Sequence, residues 1–262
     1  MKVAILGGTG SFGRALAARL RDLDFDVAVG SREHQRGWER GVELGVRGGS
    51  NEEILGGADL VILAVKSNAT IDTARELKEV IGKTPVLCVA SDVVFTEHGI
   101  LPARDERSLA EELAETIEAP VASGLQSVSA IDLAANELPD QDALICGDDP
   151  RAKELALELA GRLVGGRALD AGPLANSRAL AAMTAVSNAY LSQIERGLHA
   201  PSVRVLKSIA TALNLSAEVL LAQAGLITEP ADAEDGATEA ALRADGRLTA
   251  PQKRAAHQIC CR

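Results

Sequence analysis

Val3-Ala-Ile-Leu-Gly-Gly-Thr-Gly-Ser-Phe-Gly13 decides the fold. Val3 to Leu6 is a branched apolar run, suited to a parallel strand buried on both faces. Gly8-x-Gly10-x-x-Gly13 follows, and then a helical pattern with Leu16, Leu20 and Leu23 on one side. Strand, glycine turn and helix in that order predict a dinucleotide site. Gly8 is expected to permit the tight turn, Gly10 to let a pyrophosphate approach the backbone, and Gly13 to let the helix pack on the strand. Unbonded N–H groups at the helix start would face the phosphates. A tight strand-helix joint with no ligand is the alternative, and the setting after an N-terminal strand favours the nucleotide.

Outward from this stretch, Asp26 to Gly30 reads as the second strand. A site selective for NAD usually has a carboxylate at its end, about 20 residues after the glycines. Here stand Ser31 and Arg32, with Arg36 beyond. A hydroxyl and planar guanidinium donors suit a 2′-phosphate, so NADP is expected over NAD. An ordinary solvated Ser-Arg turn is the alternative.

Residues 33 to 58 should hold a short helix and strand. Asp59 to Val65 is a second continuous apolar run whose end, Ala64-Val65-Lys66, should meet the ligand crevice. A helix is expected over 69–80, a strand over 85–89, a helix over 106–117 and a strand over 144–146. Pro150 suits the first turn of a helix running to Leu163, and 168–170 is a last strand. The alternation predicts an α/β fold, a Rossmann-type doubly wound parallel sheet.

The 262 residues carry 47% hydrophobic but 2% aromatic side chains, so the core must be aliphatic. A net charge of −10 excludes a chain devoted as a whole to nucleic acid or anionic membrane, though not a small local DNA reader. Cys88 and Cys146 lie in apolar runs and read as buried thiols, while Cys260-Cys261 lacks a second pair for a zinc site. No metal site and no Ser/His/Asp arrangement is evident, and His34, His98, His199 and His257 are scattered. With no signal peptide and no apolar stretch of 18 residues, a cytoplasmic protein without membrane association is expected.

Cys146-Gly-Asp-Asp149, Leu169-Asp-Ala-Gly-Pro-Leu174 and Asn176-Ser-Arg178 add a family resemblance. With Gly7-Gly-Thr-Gly10, Gly30-Ser-Arg32 and Ile71 to Leu77, the chain to about Val186 resembles the F420-dependent NADP oxidoreductases. The resemblance implies hydride transfer between NADP(H) and coenzyme F420 in a shared crevice, and a homodimer. It places Thr9, Gly10, Ser11 and Phe12 at the pyrophosphate, and Ser31, Arg32 and Arg36 at the 2′-phosphate. Ala64 and Val65 fall near the ribose and nicotinamide, and Gln126 and Thr184 toward the deazaflavin. Gln126 stands where the family often has His. It can donate a hydrogen bond but cannot carry a proton. No side chain is assigned as catalytic, because both partners are hydride carriers that need chiefly to be held in contact.

After Thr184 the chain departs from that family. Val186 to Gly197 resembles the recognition helix of Cro-type helix-turn-helix regulators. Ser187 would cap it, Leu191 and Ile194 would face a small core, and Asn188, Ala189, Ser192 and Gln193 would point toward DNA base edges. Ala185 replaces the usual turn glycine, the family's first helix has no counterpart, and residues 185 to 216 carry three cations against one carboxylate. A helical appendage or dimerising element fits as well as DNA reading. The expected organisation is a reductase domain over 1–182, a small all-α helix-turn-helix-like module over 183–226, and a linker and tail over 227–262. An NADP(H)-sensing transcription regulator and a reductase of a small imine or ketone are the alternative functions.

Overall fold

The computed structural model of the chain describes residues 1–96, 99–104 and 106–184. Strand β1 (Lys2–Leu6) leads into α1 (Ser11–Asp22), then β2 (Asp26–Ser31), α2 (His34–Leu44), β3 (Arg47–Ser50) and α3 (Asn51–Leu55). Next come β4 (Leu60–Leu63), α4 (Ser67–Ile81), β5 (Val86–Cys88) and a hairpin of β6 (Val93–Thr96) and β7 (Gly99–Pro102). The last described part is α5 (Leu109–Thr116), β8 (Val121–Gly124), α6 (Ala130–Ala134), β9 (Ala143–Gly147), α7 (Pro150–Leu163), β10 (Ala168–Asp170) and α8 (Asn176–Thr184).

Eight strands form one sheet in the order β3-β2-β1-β4-β5-β8-β9-β10. The first six are parallel, with Val3–Leu6 registered between Val27–Gly30 on one side and Leu60–Leu63 on the other. Their order is that of two wound halves meeting at β1 and β4, where the direction of winding reverses. Successive strand residues face opposite layers. Val3, Ile5, Val29, Leu60 and Ile62 pack with Leu16 and Leu20 of α1 and Leu159 of α7. Ala4, Leu6, Val61 and Leu63 pack with Ile54, Leu77 and Leu113 from α3, α4 and α5. Because both faces are covered, the strands are continuously apolar rather than alternating.

The sheet is mixed rather than wholly parallel: β9 runs antiparallel to β8, with Ser123 opposite Cys146, and β10 follows β9. A parallel return needs a full crossover helix. The β8–β9 connection carries only the five-residue α6, which Arg19 of α1 ties down through a 3.1 Å hydrogen bond from Nε to the Leu133 carbonyl. The β6–β7 hairpin lies outside the sheet and was not expected. Its strands are four residues each, too short for periodicity to identify. Among the described residues no helix is long and apolar enough to cross a membrane. The readings at Asn188, Ala189, Ser192 and Gln193, and the linker and tail, lie outside the described residues.

Candidate functional site

The glycine turn fills the switch point between β1 and β4. Gly7 has φ of +84°, and a Cβ there would lie 2.6 Å from the Ala64 carbonyl oxygen and 2.9 Å from Val65 Cγ1. Gly7, immediately before the Gly8 expected to permit the turn, is therefore the residue with positive φ. A Cβ on Gly8 would lie 2.7 Å from Val29 Cβ, so this glycine serves close packing on β2. Gly13 packs α1 onto the turn as expected: its Cβ would lie 2.5 Å from the Gly7 oxygen. Gly10 is different. Among the described residues a Cβ there would meet only the Gly7 oxygen, at an ordinary 3.5 Å, so none of them demands glycine. Gly10 is exposed, and the space it leaves open lies outside the protein.

Helix α1 starts directly behind it. Gly10 is its N-cap and supplies no side-chain cap, and the first turn holds no acidic residue. The N–H groups of Ser11 and Phe12 thus keep their capacity for an anion. Thr9 and Phe12 are half-buried beside the turn and Ser11 is exposed.

Next along the sheet edge is the end of β2. Ser31 is buried as the last strand residue, opposite Ser50 of β3. Arg32 and Arg36 project into solvent. Between them in sequence, His34 Nδ1 meets Glu53 Oε2 at 2.6 Å, and that carboxylate also accepts the Ser50 N–H at 2.8 Å. The backbone hydrogen bond from Ser50, and then His34, hold the Glu53 carboxyl below its ordinary range. Arg14, Arg32, Arg36 and Lys66 make no side-chain hydrogen bond or ion pair among the described residues, whereas most other cations in this acidic chain do. Ala64 and Val65 are half-buried at the end of β4, against Gly7.

On the other side of β4, the ends of β5 and β8 open into a narrow pocket. Cys88, Ala90, Ser123 and Gln126 line it from the sheet, and Ser177, Arg178 and Ala181 from α8. Gln126 Nε2 donates to Ser123 Oγ at 2.8 Å. Ser177 Oγ is buried with no hydrogen-bond partner among the described residues, an orphan that the wall of a ligand pocket would explain. Burial pushes the Cys88 thiol up to about 11, so it is a neutral lining group rather than a nucleophile. Opposite α8, Arg104 bonds to Asp92 and, at 2.7 Å, to Glu112, closing the stem of the β6–β7 hairpin onto α5. At about 4.8 Å per strand, β1 and β8 stand roughly 14 Å apart, so turn and pocket share one edge. Thr184 is the last residue of α8 and of the described chain.

The two distinctive runs near the end of this fold are architectural. Asp149 caps α7 by accepting the Ala152 N–H at 2.9 Å. Asp148 accepts the Leu174 N–H at 3.0 Å, and Gly147 N–H donates to the Gly172 carbonyl at 3.1 Å. Asn176 Nδ2 then closes on the Ala171 carbonyl at 2.7 Å. Together they set where α8 begins, and through α8 they shape the pocket. Sequence spacing gave no sign of this pairing, nor of the orphan at Ser177. Among the described residues no cluster of three or more His, Cys, Asp or Glu could hold a metal ion.

A family model described as NADP oxidoreductase coenzyme F420-dependent matches residues 2–96, and a Helix-turn-helix model matches residues 176–220. The chain is similar to the F420-dependent NADP reductase of Methanocaldococcus jannaschii, 33% identical over 201 residues, 70% of this chain and 89% of that protein. A 76-residue stretch, 29% of the chain, is 49% identical to an uncharacterized HTH-type transcriptional regulator of Mycobacterium tuberculosis and spans 52% of that regulator. Among solved structures, a putative F420-dependent NADP-reductase from Arthrobacter sp. FB24 has the same fold, with a TM-score of 0.61 at 22% identity over 82% of this chain and 96% of that one.

Proposed function

The chain belongs to the F420-dependent NADP reductase family, and we propose on that footing that it moves a hydride between NADP(H) and coenzyme F420 along the sheet edge from β2 to β8. The observation that carries this is the uncapped start of α1 behind Gly10, flanked at the end of β2 by Arg32 and Arg36, which are exposed and unpaired among the described residues. Gly8, Thr9, Gly10, Ser11, Phe12 and Gly13 would hold the pyrophosphate, its oxygens accepting from the Ser11 and Phe12 N–H groups. Ser31, Arg32 and Arg36 would hold the 2′-phosphate by hydroxyl donation and charge. Ala64 and Val65 would bring the nicotinamide half over β4, toward the pocket of Gln126 and α8.

Nicotinamide and deazaflavin supply the hydride chemistry themselves. The protein's work is orientation: backbone donors fix one end of the nucleotide, and the apolar edge of β4 excludes water from the meeting point. Gln126, held by Ser123, can donate a hydrogen bond to a carbonyl in the pocket but cannot exchange a proton with it. The test is to mix purified protein with NADPH and oxidised F420 and follow the deazaflavin absorbance. Turnover is expected. Silence with both NADPH and NADH refutes the reading, and NADPH oxidation by a small imine or ketone but not by F420 moves the substrate class.

A second reading rests on the helix-turn-helix match: the segment after α8 binds DNA, and NADP(H) shifts that binding. It needs different nucleotide affinity in the free and DNA-bound states. Salt-sensitive DNA binding that responds to NADPH supports it, and DNA binding that ignores NADPH removes the sensing. The corresponding modules are a reductase over 1–182, a helix-turn-helix unit over 183–226 and a tail over 227–262. Helix α8 (Asn176–Thr184) crosses the first boundary. A homodimer in solution is part of the same proposal, read by sedimentation of the full chain.

A further inference from the structure

Arg14 is the fourth residue of α1, immediately after Gly13. A cation in the first turn of a helix lies against the positive end of the dipole, where carboxylates are favoured. This helix has no acidic residue there, no capping side chain, and an exposed Arg14 with no ion pair or hydrogen bond among the described residues. Such a local conflict is expected where function outweighs stability.

The direction of the side chain gives the function. Helical side chains lean toward the N-terminus and cover the residues three and four positions earlier. For Arg14 these are Ser11 and Gly10, both exposed. Gly10 has room for a Cβ on its protein side, so the exposed face above it is free for a ligand. By this rule the Arg14 side chain leans toward the opening at the Ser11 and Phe12 N–H groups.

We propose that Arg14 is a third nucleotide-binding cation, which contacts the pyrophosphate while Arg32 and Arg36 serve the 2′-phosphate. The proposal rests on the nucleotide site described above. Because NADH and NADPH share the pyrophosphate, Arg14 contributes affinity without selectivity.

Arg14→Ala and Arg14→Gln test it by titration with NADPH and with NADH at low and physiological salt. Both dissociation constants are expected to rise about 5- to 20-fold, by a similar factor, with a flatter salt dependence and with Arg14→Lys partly restoring affinity. The melting temperature of the unliganded variants should equal or exceed that of the wild type, since an unfavourable dipole contact is lost. A dissociation constant within twofold of wild type overturns the proposal. A loss confined to NADPH also overturns it, since it would put Arg14 at the 2′-phosphate, and a fall in melting temperature with no change in affinity makes the residue structural. Wild-type protein that binds neither nucleotide defeats the site itself and the proposal with it, a result separable from an unaffected variant.

Discussion

Gly10 and Gly13 occupy one motif three residues apart, and the structure requires that their alanine variants fail differently. A Cβ on Gly13 would lie 2.5 Å from the Gly7 oxygen and 2.9 Å from Gly8 Cα, both backbone atoms. Ordinary contact begins near 3.4 Å, so α1 must retreat by about 0.9 Å from the turn. Overpacking of this kind costs about 1–3 kcal/mol, which lowers the melting temperature by roughly 2–12 °C in a domain of this size. Among the described residues a Cβ on Gly10 meets nothing closer than 3.5 Å, and its φ of −76° and ψ of 167° suit alanine. Gly10→Ala should lose only about 0.5–1 kcal/mol of capping preference. Its methyl group, however, enters the space assigned to the pyrophosphate. Losing one charge-assisted contact to a helix-start N–H is worth about 1.5–3 kcal/mol, or roughly a 10- to 150-fold weaker NADPH. The assay pairs thermal unfolding by circular dichroism with NADPH titration by fluorescence. Wild-type affinity in Gly10→Ala, or an unchanged melting temperature in Gly13→Ala, refutes the assignment of these two roles.

Arg32→Ala and Arg36→Ala should weaken NADPH by about 10-fold or more and leave NADH nearly unchanged, because NADH lacks the 2′-phosphate; an unaltered ratio of the two dissociation constants removes both residues from that subsite. Gln126→His places a group titrating near pH 6.5 beside Ser123, so the pH–rate profile for F420 turnover should gain an inflection absent from the wild type, and identical profiles would detach Gln126 from the reaction. Burial raises the Cys88 thiol to about 11 from an ordinary 9.0, so the stability it contributes is complete below pH 9 and is lost as the pH rises from 9 to about 11. Against Cys88→Ala, wild type should lose about 2–3 kcal/mol across that window by denaturant titration, and parallel curves would contradict the burial.

The strand, turn and helix start of the proposed nucleotide site were legible because their signals are local. A strand, three glycines and a helix start fix one another within eleven residues, and the Ser31-Arg32 pair follows at the end of the next strand. Even there the motif did not show that Gly7 takes the positive φ while Gly8, expected to permit the tight turn, packs against Val29. For the candidate pocket beyond β4, only family resemblance offered a residue, Gln126. This pocket joins Cys88, Gln126 and Ser177, residues far apart in sequence, and no spacing rule connects them. The antiparallel β9 was hidden for a similar reason: a short apolar run reads alike in either direction, and the connection decides. The β8 strand and the β6–β7 hairpin, four residues per strand, are too brief to display a period.

Helix α8 is the point where the two family matches compete. The helix-turn-helix match begins at residue 176, the first residue of α8. Yet this helix is already committed to the reductase fold. Ser177 and Ala181 are buried, and Arg178 Nε donates to the Arg104 carbonyl at 2.9 Å. Its start is fixed by Asp148 and Asn176 through contacts made within the reductase runs. A helix-turn-helix unit needs the helix before its recognition helix to brace it and to meet the DNA backbone. If α8 does that work, the face it turns to the new partner must be one the reductase leaves free, such as that of Ala175 and Ala179, which are exposed. If it does not, the recognition segment lacks its brace and DNA reading fails. Substitutions at Ala179 therefore separate the two roles: a bulky residue there should spare NADPH binding, which we propose for the glycine turn across the sheet edge, and abolish any DNA binding that depends on α8 as a brace.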